Sequence, residues 1–590
     1  FNGSGYNVAV GYNSGHVITT GTENTIIGSL AGDALTTGSF NVAIGYDSLS
    51  VEDTGGRNVA IGYGALRAQD AGADAYNVAV GMWAGKEITT GVNNTIMGGL
   101  AGDALTTGTN NVALGYGALG TEDTGGQNVA IGVNALTTLN YAGNGLNTAV
   151  GYAAGALMTT GVQNTIVGGQ AGDALTTGSY NIAIGFRALS SEDTGGTSIG
   201  IGYYALEAQN NDSNNYNVAI GHSAGGAVTT GTLNTLVGGL AGDALTTGGE
   251  NVAMGYGALG LEDTGGRNVA IGYNSLSALN YDGHAYTTAV GYAAGALITT
   301  GLYNTILGAN AGLALTTGGE NVAVGFESLM TEDAHGRNVA LGYKTLRLQD
   351  AGAEAYNVAV GYAAGSAVTT GVQNTLIGGN AGDALTEGGE NTIIGYTAGG
   401  AMTIGNYNTA LGRSALSSSV DGDHNTAIGY NALQDYEDGD GNGHNTAVGS
   451  QSQLNATTGE FNTSLGSLSM GVGVTTGDYN VAIGYQAGQA LTSGSENIVI
   501  GQGAGDALTT GTRNVAIGHA ALSAEDANGY NTAIGRSALN ALNAGADGYN
   551  VAVGYSAGAV MTTGVRNTVI GAIAGDAMTT GTDNTIVGER

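Results

Sequence analysis

A short pattern of one polar residue, three mostly apolar residues and a glycine returns along the whole chain. The pentad Asn-(Val/Thr)-(Ala/Ile)-(Val/Ile/Leu)-Gly occurs, with a few variants, in 34 copies from Asn7 to Asn584. Copies open at residues 7, 24, 41, 58, 77, 94, 111, 128 and 147, so the steps run 17, 17, 17 and 19, and four of them make a 70-residue super-repeat. The four types read NVAVGMWAGKEITTGVN from Asn77, NTIMGGLAGDALTTGTN from Asn94, NVALGYGALGTEDTGGQ from Asn111 and NVAIGVNALTTLNYAGNGL from Asn128. A short β-branched run closed by glycine, then a second apolar stretch and a Thr-Gly turn, predicts one coil of a solenoid. The expected fold is all-β: a parallel β-solenoid (β-roll) of about 34 coils of 17–19 residues. Successive coils would lie about 4.8 Å apart, which gives a rod on the order of 160 Å. Regular super-repeats fill 1–390 and 480–590, and an irregular solenoid segment lies between them at 391–479.

Composition sharpens this reading. The 590 residues include 111 glycines and no proline. Collagen needs proline and a glycine at every third position, so it is excluded. The absence of proline fits strands whose N–H groups must all donate to the next coil. Glycine closes all 34 pentads, which predicts a corner with positive φ or a close backbone approach. Asn opens 32 of them, Ser198 and Thr287 being the exceptions, and predicts a ladder of side-chain amides bonded to one another. Position three is usually Ala where position six is Tyr (Ala43/Tyr46, Ala60/Tyr63) and Ile or Leu where position six is small (Ile96/Gly99, Leu236/Gly239), with Ile393/Tyr396 as an exception. A shared packing surface of fixed volume would produce that coupling. Positions two to four are often all apolar, so both faces of the strand should be covered, the outer one by neighbouring chains.

Thirteen basic against 46 acidic residues give a formal net charge of −33. That disfavours nucleic acid and anionic membrane as partners, because both require clustered Lys and Arg. No apolar run approaches the 18 residues of a membrane span. With no Cys, disulfides and thiolate metal sites are excluded.

The NVAIGYxAL…TTGxxN pattern resembles the head repeats of YadA-like trimeric autotransporter adhesins, whose motif is close to NSVAIGxxAxA. It is also similar to Gly- and Asn-rich repeats of bacteriophage tail-fibre proteins. The resemblance covers almost the whole chain and implies a left-handed, trimeric β-roll outside the cell or on a virion. The 17/19-residue coil is longer than that of the adhesin heads, and neither their coiled-coil stalk nor their membrane anchor is seen here. The function expected is the structural shaft of an extracellular or virion fibre, self-associating as a homotrimer. The alternative is an adhesin or host-recognition fibre that binds surface glycans through repeated loops and tyrosines. Both chain ends fall in mid-coil, and their uncovered strand edges suggest head-to-tail stacking or continuation of the chain.

Candidate chemistry is sparse, and the chain is expected not to be an enzyme. G-x-S-x-G occurs around Ser198, Ser223 and Ser556, but Ser223 and Ser556 fill the repeat position of Ala153, Ala293 and Ala363, with no helical pattern following. The seven histidines, His16, His222, His284, His335, His424, His444 and His519, occupy largely unrelated positions. Carboxylates recur in phase as Glu52-Asp53, Glu122-Asp123, Glu192-Asp193, Glu262-Asp263 and Glu332-Asp333, a pattern expected of turns. The 19-residue coils carry longer loops, such as 69–76 and 139–146, which serve either as spacers or as binding elements. Asp438-Gly439-Asp440-Gly441-Asn442-Gly443 matches the first six positions of a calcium loop, but position twelve is Gly449 instead of Glu. With Asp421 and Asp423 from the preceding coil, Asp438, Asp440 and Asn442 form either a weak calcium site or a solvated acidic turn.

Overall fold

A computed structural model describes residues 5–437 and 443–589. Every pentad contributes its second, third and fourth residues as a three-residue strand, which gives 34 strands and no helix among the described residues. The strands fall into two compact units, Phe1–Ala293 and Ala294–Arg590. The first unit runs from β1 (Val8–Val10) to β17 (Thr288–Val290) and the second from β18 (Thr305–Leu307) to β34 (Thr585–Val587). Within each unit every strand pairs in parallel with the next, so each is a parallel β-solenoid.

The register is that of the sequence repeat. Val112, Ala113 and Leu114 face Val129, Ala130 and Ile131. The irregular segment obeys the same rule: Thr426 faces Thr446 across a coil lengthened to 20 residues, and Thr463 faces Val481. Extra residues are absorbed in loops because a one-residue slip would turn every inward side chain outward.

The pentad glycine meets both requirements inferred from sequence. Gly115 has φ 137, and a Cβ there would lie 2.5 Å from the carbonyl carbon of Gly132 in the next coil and closer still to its oxygen. By contrast, position seven and the last position of the coil adopt positive φ largely without glycine, as at Asn134 and Gln127, and position nine does so both with glycine, as at Gly102, and with a bulky residue, as at Leu119. A left-handed conformation costs an L-residue about 1–2 kcal/mol. Full burial of Leu119 offsets that cost.

The Asn ladder differs from an amide-to-amide chain. Asn111 Oδ1 accepts the backbone N–H of Asn128 at 3.0 Å, and Asn111 Nδ2 donates to the carbonyl of Gly125 at 2.9 Å. Amide-to-amide contacts are secondary, as from Asn94 to Asn77 at 3.2 Å. Each buried Asn therefore ties its own coil to the following one and satisfies backbone groups at the corner. In several longer coils the loop carries the accepting carbonyl away, and Nδ2 of Asn58, Asn268 and Asn338 has no partner.

The volume rule also differs from the expected one. Position three is interior but position six is on the surface: Ala43 is fully buried and Tyr46 is 47% exposed. The partner of position three is position nine. Ala43, Ala60, Ala113 and Ala130 go with Leu49, Leu66, Leu119 and Leu136, whereas Ile26, Ile96 and Leu236 go with Gly32, Gly102 and Gly242. A Cβ on Gly102 would lie 3.1 Å from Ile96 Cδ1 and 2.9 Å from Leu105 Cδ1, so the two positions share one filled space. Ile393 follows this rule, since position nine of its coil is Gly399. Where both positions are small, neighbouring coils fill the gap: Ile96 from above and Leu66 from below reach Gly85.

Candidate functional site

Position twelve lies in the core and holds Ile88 or Leu105 in the first two coil types. In the third type it is glutamate: Glu52, Glu122, Glu192, Glu262 and Glu332, joined by Glu525, are all fully buried. The sequence pattern predicts turn residues for these carboxylates; the glutamates do serve the turn, but from the core side. The adjacent aspartates do make the expected turn contact, Asp123 Oδ1 accepting the N–H of Thr124 at 2.6 Å.

The glutamates act as internal acceptors for the turn. Glu262 Oε1 takes the N–H of Gly265 at 2.7 Å, and Oε2 takes that of Tyr281, in the next coil, at 3.4 Å. Glu192 is bonded to Gly195 N–H at 2.7 Å and to the side chains of Gln209 and Asn215, each at 2.9 Å. Burial pushes all six carboxyls up, Glu262 to about 7 against an ordinary 4.5, because desolvation outweighs the hydrogen bonds that favour the charged form.

Among the described residues, two clusters bring three potential ligands together, with one atom of each residue within 4.8 Å of the others. Glu52, Asp53 and Asp70 form the first, but Glu52 already accepts the N–H groups of Gly55 at 2.5 Å and Ala71 at 3.3 Å. The second is Glu332, Asp333 and His335. His335 stands where the matching coils have Gly55, Gly125, Gly195 and Gly265, so the break in the repeat was visible in the sequence. What was not visible is that Glu332 points inward beneath it.

Of the expected calcium ligands, Asp438, Asp440 and Asn442 lie outside the described residues. Asp423 Oδ1 is engaged by the backbone N–H of Asn406 at 2.5 Å, whereas Asp421 Oδ1 is buried without a hydrogen bond. The three serines of the G-x-S-x-G matches have structural settings. Ser198 Oγ accepts Gln209 Nε2 at 2.9 Å in the core, and Ser223 and Ser556 have φ 51 and 52, like Ala153 and Ala293 in the same turn at 53 and 50.

The outer surface is organised in columns. Position four is Val, Ile, Leu or Met in every coil, and positions two and four carry no charge anywhere. These side chains stand on the outer face of the strands, half-buried or exposed, with Met97 at 49% and Leu307 at 48%. Beside them, position-six rings stack along the coils, Tyr256 on Tyr273 at 5.7 Å and Tyr273 on Tyr292 at 5.3 Å. The last position of the coil carries another ladder, Tyr407–His424–His444–Phe461–Tyr479, with spacings of 4.6–5.0 Å and interplanar angles of 1–7°. Some arginines fall in that column: Arg267 lies over the Tyr286 ring and pairs with Glu250 at 2.9 Å, and Arg513 repeats this with Tyr530 and Glu496 at 3.0 Å.

Comparison of the chain with protein-family models and with curated proteins found no match.

Proposed function

We propose that the chain is a structural fibre shaft, extracellular or on a virion surface, built from three copies packed along their strand faces. The observation that carries this reading is the uncharged aliphatic column at position four. A soluble chain rarely leaves a long contiguous apolar strip to water. A partner for such a strip must present side chains at the same spacing of about 4.8 Å. A second copy of this chain has that period by construction. It also offers an interface free of charge on a molecule whose net charge of −33 opposes association elsewhere.

The interior supports a structural role over a catalytic one. Most inward polar groups are used on ladders and turns, as with the Asn column and the oxygens of Glu192. Glycan recognition by the tyrosines gains nothing from the geometry. Stacked rings cover one another's faces, and those are the surfaces a sugar would stack on.

The double variant Met97→Lys/Met254→Lys tests the seam. Both side chains are exposed in the single chain, so the fold should hold and circular dichroism should not change. Placing unpaired charges in an apolar interface costs about 3–5 kcal/mol. Assembly should therefore weaken by at least about a hundredfold in sedimentation equilibrium. A parent chain that is monomeric at micromolar concentration, or a variant that assembles equally well, overturns the reading.

A further inference from the structure

We infer that Glu332, Asp333 and His335 bind one divalent transition-metal cation of the zinc class, at a site distinct from the calcium loop expected near residue 440. The argument does not depend on the shaft reading. One ligand atom of each of the three residues lies within 4.8 Å of the other two. Glu332 is fully buried, and its Oε2 has no hydrogen-bond partner. In four matching coils that oxygen is occupied: Glu52, Glu122 and Glu262 take backbone N–H groups of Ala71, Tyr141 and Tyr281 at 3.3–3.4 Å, and Glu192 takes two side-chain amides; Glu525 Oε2 is open as well, but no histidine stands beside it.

His335 adds a second open atom. Its Nδ1 is buried, has no partner, and lies 3.6 Å from Glu332 Oε1, beyond hydrogen-bonding distance. Position fifteen naturally places a side chain over the carboxylate: a Cβ on Gly55 or Gly265 would lie 2.5 Å from the Oε1 of Glu52 or Glu262. In the coil that holds Asn528 this position is closed, since the amide donates to Glu525 Oε1 at 2.8 Å. With histidine, Glu332 Oε1 takes the backbone N–H of His335 at 3.2 Å, while Glu332 Oε2 and the imidazole Nδ1 are left unpaired in the same cluster.

The donor set selects the cation. One imidazole with two carboxylates suits zinc and its neighbours, whereas calcium and magnesium prefer oxygen alone and copper(I) prefers sulfur. Zinc bonds of about 2.0–2.2 Å in a tetrahedron place ligands about 3.3 Å apart, so closure needs side-chain shifts of about an ångström. Three protein ligands leave the fourth position to water.

The test is a titration of the full-length chain with zinc alone, after chelator treatment, in parallel with His335→Gly and Glu332→Gln. His335→Gly restores the residue of the matching coils, so its fold is expected to hold. The expected result is one tight equivalent in the parent, weakened at least tenfold in both variants, with X-ray absorption showing one imidazole in a mixed nitrogen and oxygen shell. The stacked pair His424 and His444, at 4.6 Å, is the competing imidazole site. Replacing both by Asn should leave the tight equivalent in place. Zinc binding that is equal in the parent and His335→Gly, that vanishes with His424 and His444, or that is detected only at millimolar zinc overturns the inference and leaves Glu332 and His335 as an ion pair.

Discussion

Gly115→Ala should open the coils around the substitution, raising amide exchange of Val112–Leu114 and Val129–Ile131 about a thousandfold while distant coils keep their protection. Two costs add at this position. The backbone is at φ 137, where an L-residue is strained, and the new Cβ meets the Gly132 carbonyl group at 2.5 Å or less. Neither cost can be relieved by a rotamer, because the obstacle is the backbone of the next coil. A penalty of about 4 kcal/mol is at the upper end of single-residue effects, and it corresponds to about three powers of ten in local opening. The damage stays local because each coil contacts mainly its neighbours. Gly72→Ala is the matched control. That glycine also has positive φ, 67, but nothing lies within 4 Å of the new Cβ, so only the conformational term of about 1 kcal/mol remains. Similar exchange in the two variants would show that close coil-to-coil approach is not the reason for glycine at position five.

Raising the pH from 5 to 8 should destabilise the third-type coils. Glu262 titrates near 7 when folded and near 4.5 in its ordinary state, because burial penalises the charged form. Between those values the folded chain holds more protons than the unfolded one, so stability falls as pH rises and levels off above about 7. Full stabilisation is present below 4.5. The interval corresponds to about 3 kcal/mol for this residue as an upper figure. Glu52, Glu122, Glu192 and Glu525 are displaced in the same direction, so their coils should respond alike. Self-repulsion of the net negative charge acts with the same sign, and Glu262→Gln separates the two. Amide exchange around Gly265, corrected for the intrinsic rate at each pH, should increase from pH 5 to pH 8 in the parent and much less in the variant. Greater protection at pH 8, or an unchanged slope in Glu262→Gln, would contradict the assignment.

The coil and its register were legible because repetition states them many times over. A period of 17 with one lengthened step puts equivalent residues side by side, and the loops absorb the excess at Asp70–Asp74 as they do after Asn425. What sequence could not show was which residues within a coil face inward together. The Tyr46 column covaries with Ala43 because the two residues recur together in several coil types, yet Leu49 is the residue that shares its space. Glu122 reads as a turn residue because Asp123 beside it is of the type that bonds its own backbone in turns. Its burial follows from the in-phase Ile88 and Leu105, a comparison between coil types that the Glu-Asp pair itself conceals. The candidate metal cluster was half visible: His335 breaks a Thr-Gly-Gly turn three residues after Glu332. Only the inward course of that glutamate gives the spacing its meaning.

The central claim, a shaft assembled from copies of this chain along the position-four column, is tested most directly by cryo-electron microscopy of the unmodified protein. The account predicts elongated particles, a layer line at about 4.8 Å along their axis, and three chains in cross-section with Val, Ile, Leu and Met of position four at the seam. Single-chain particles with that column facing solvent, or particles without the axial repeat, would contradict it.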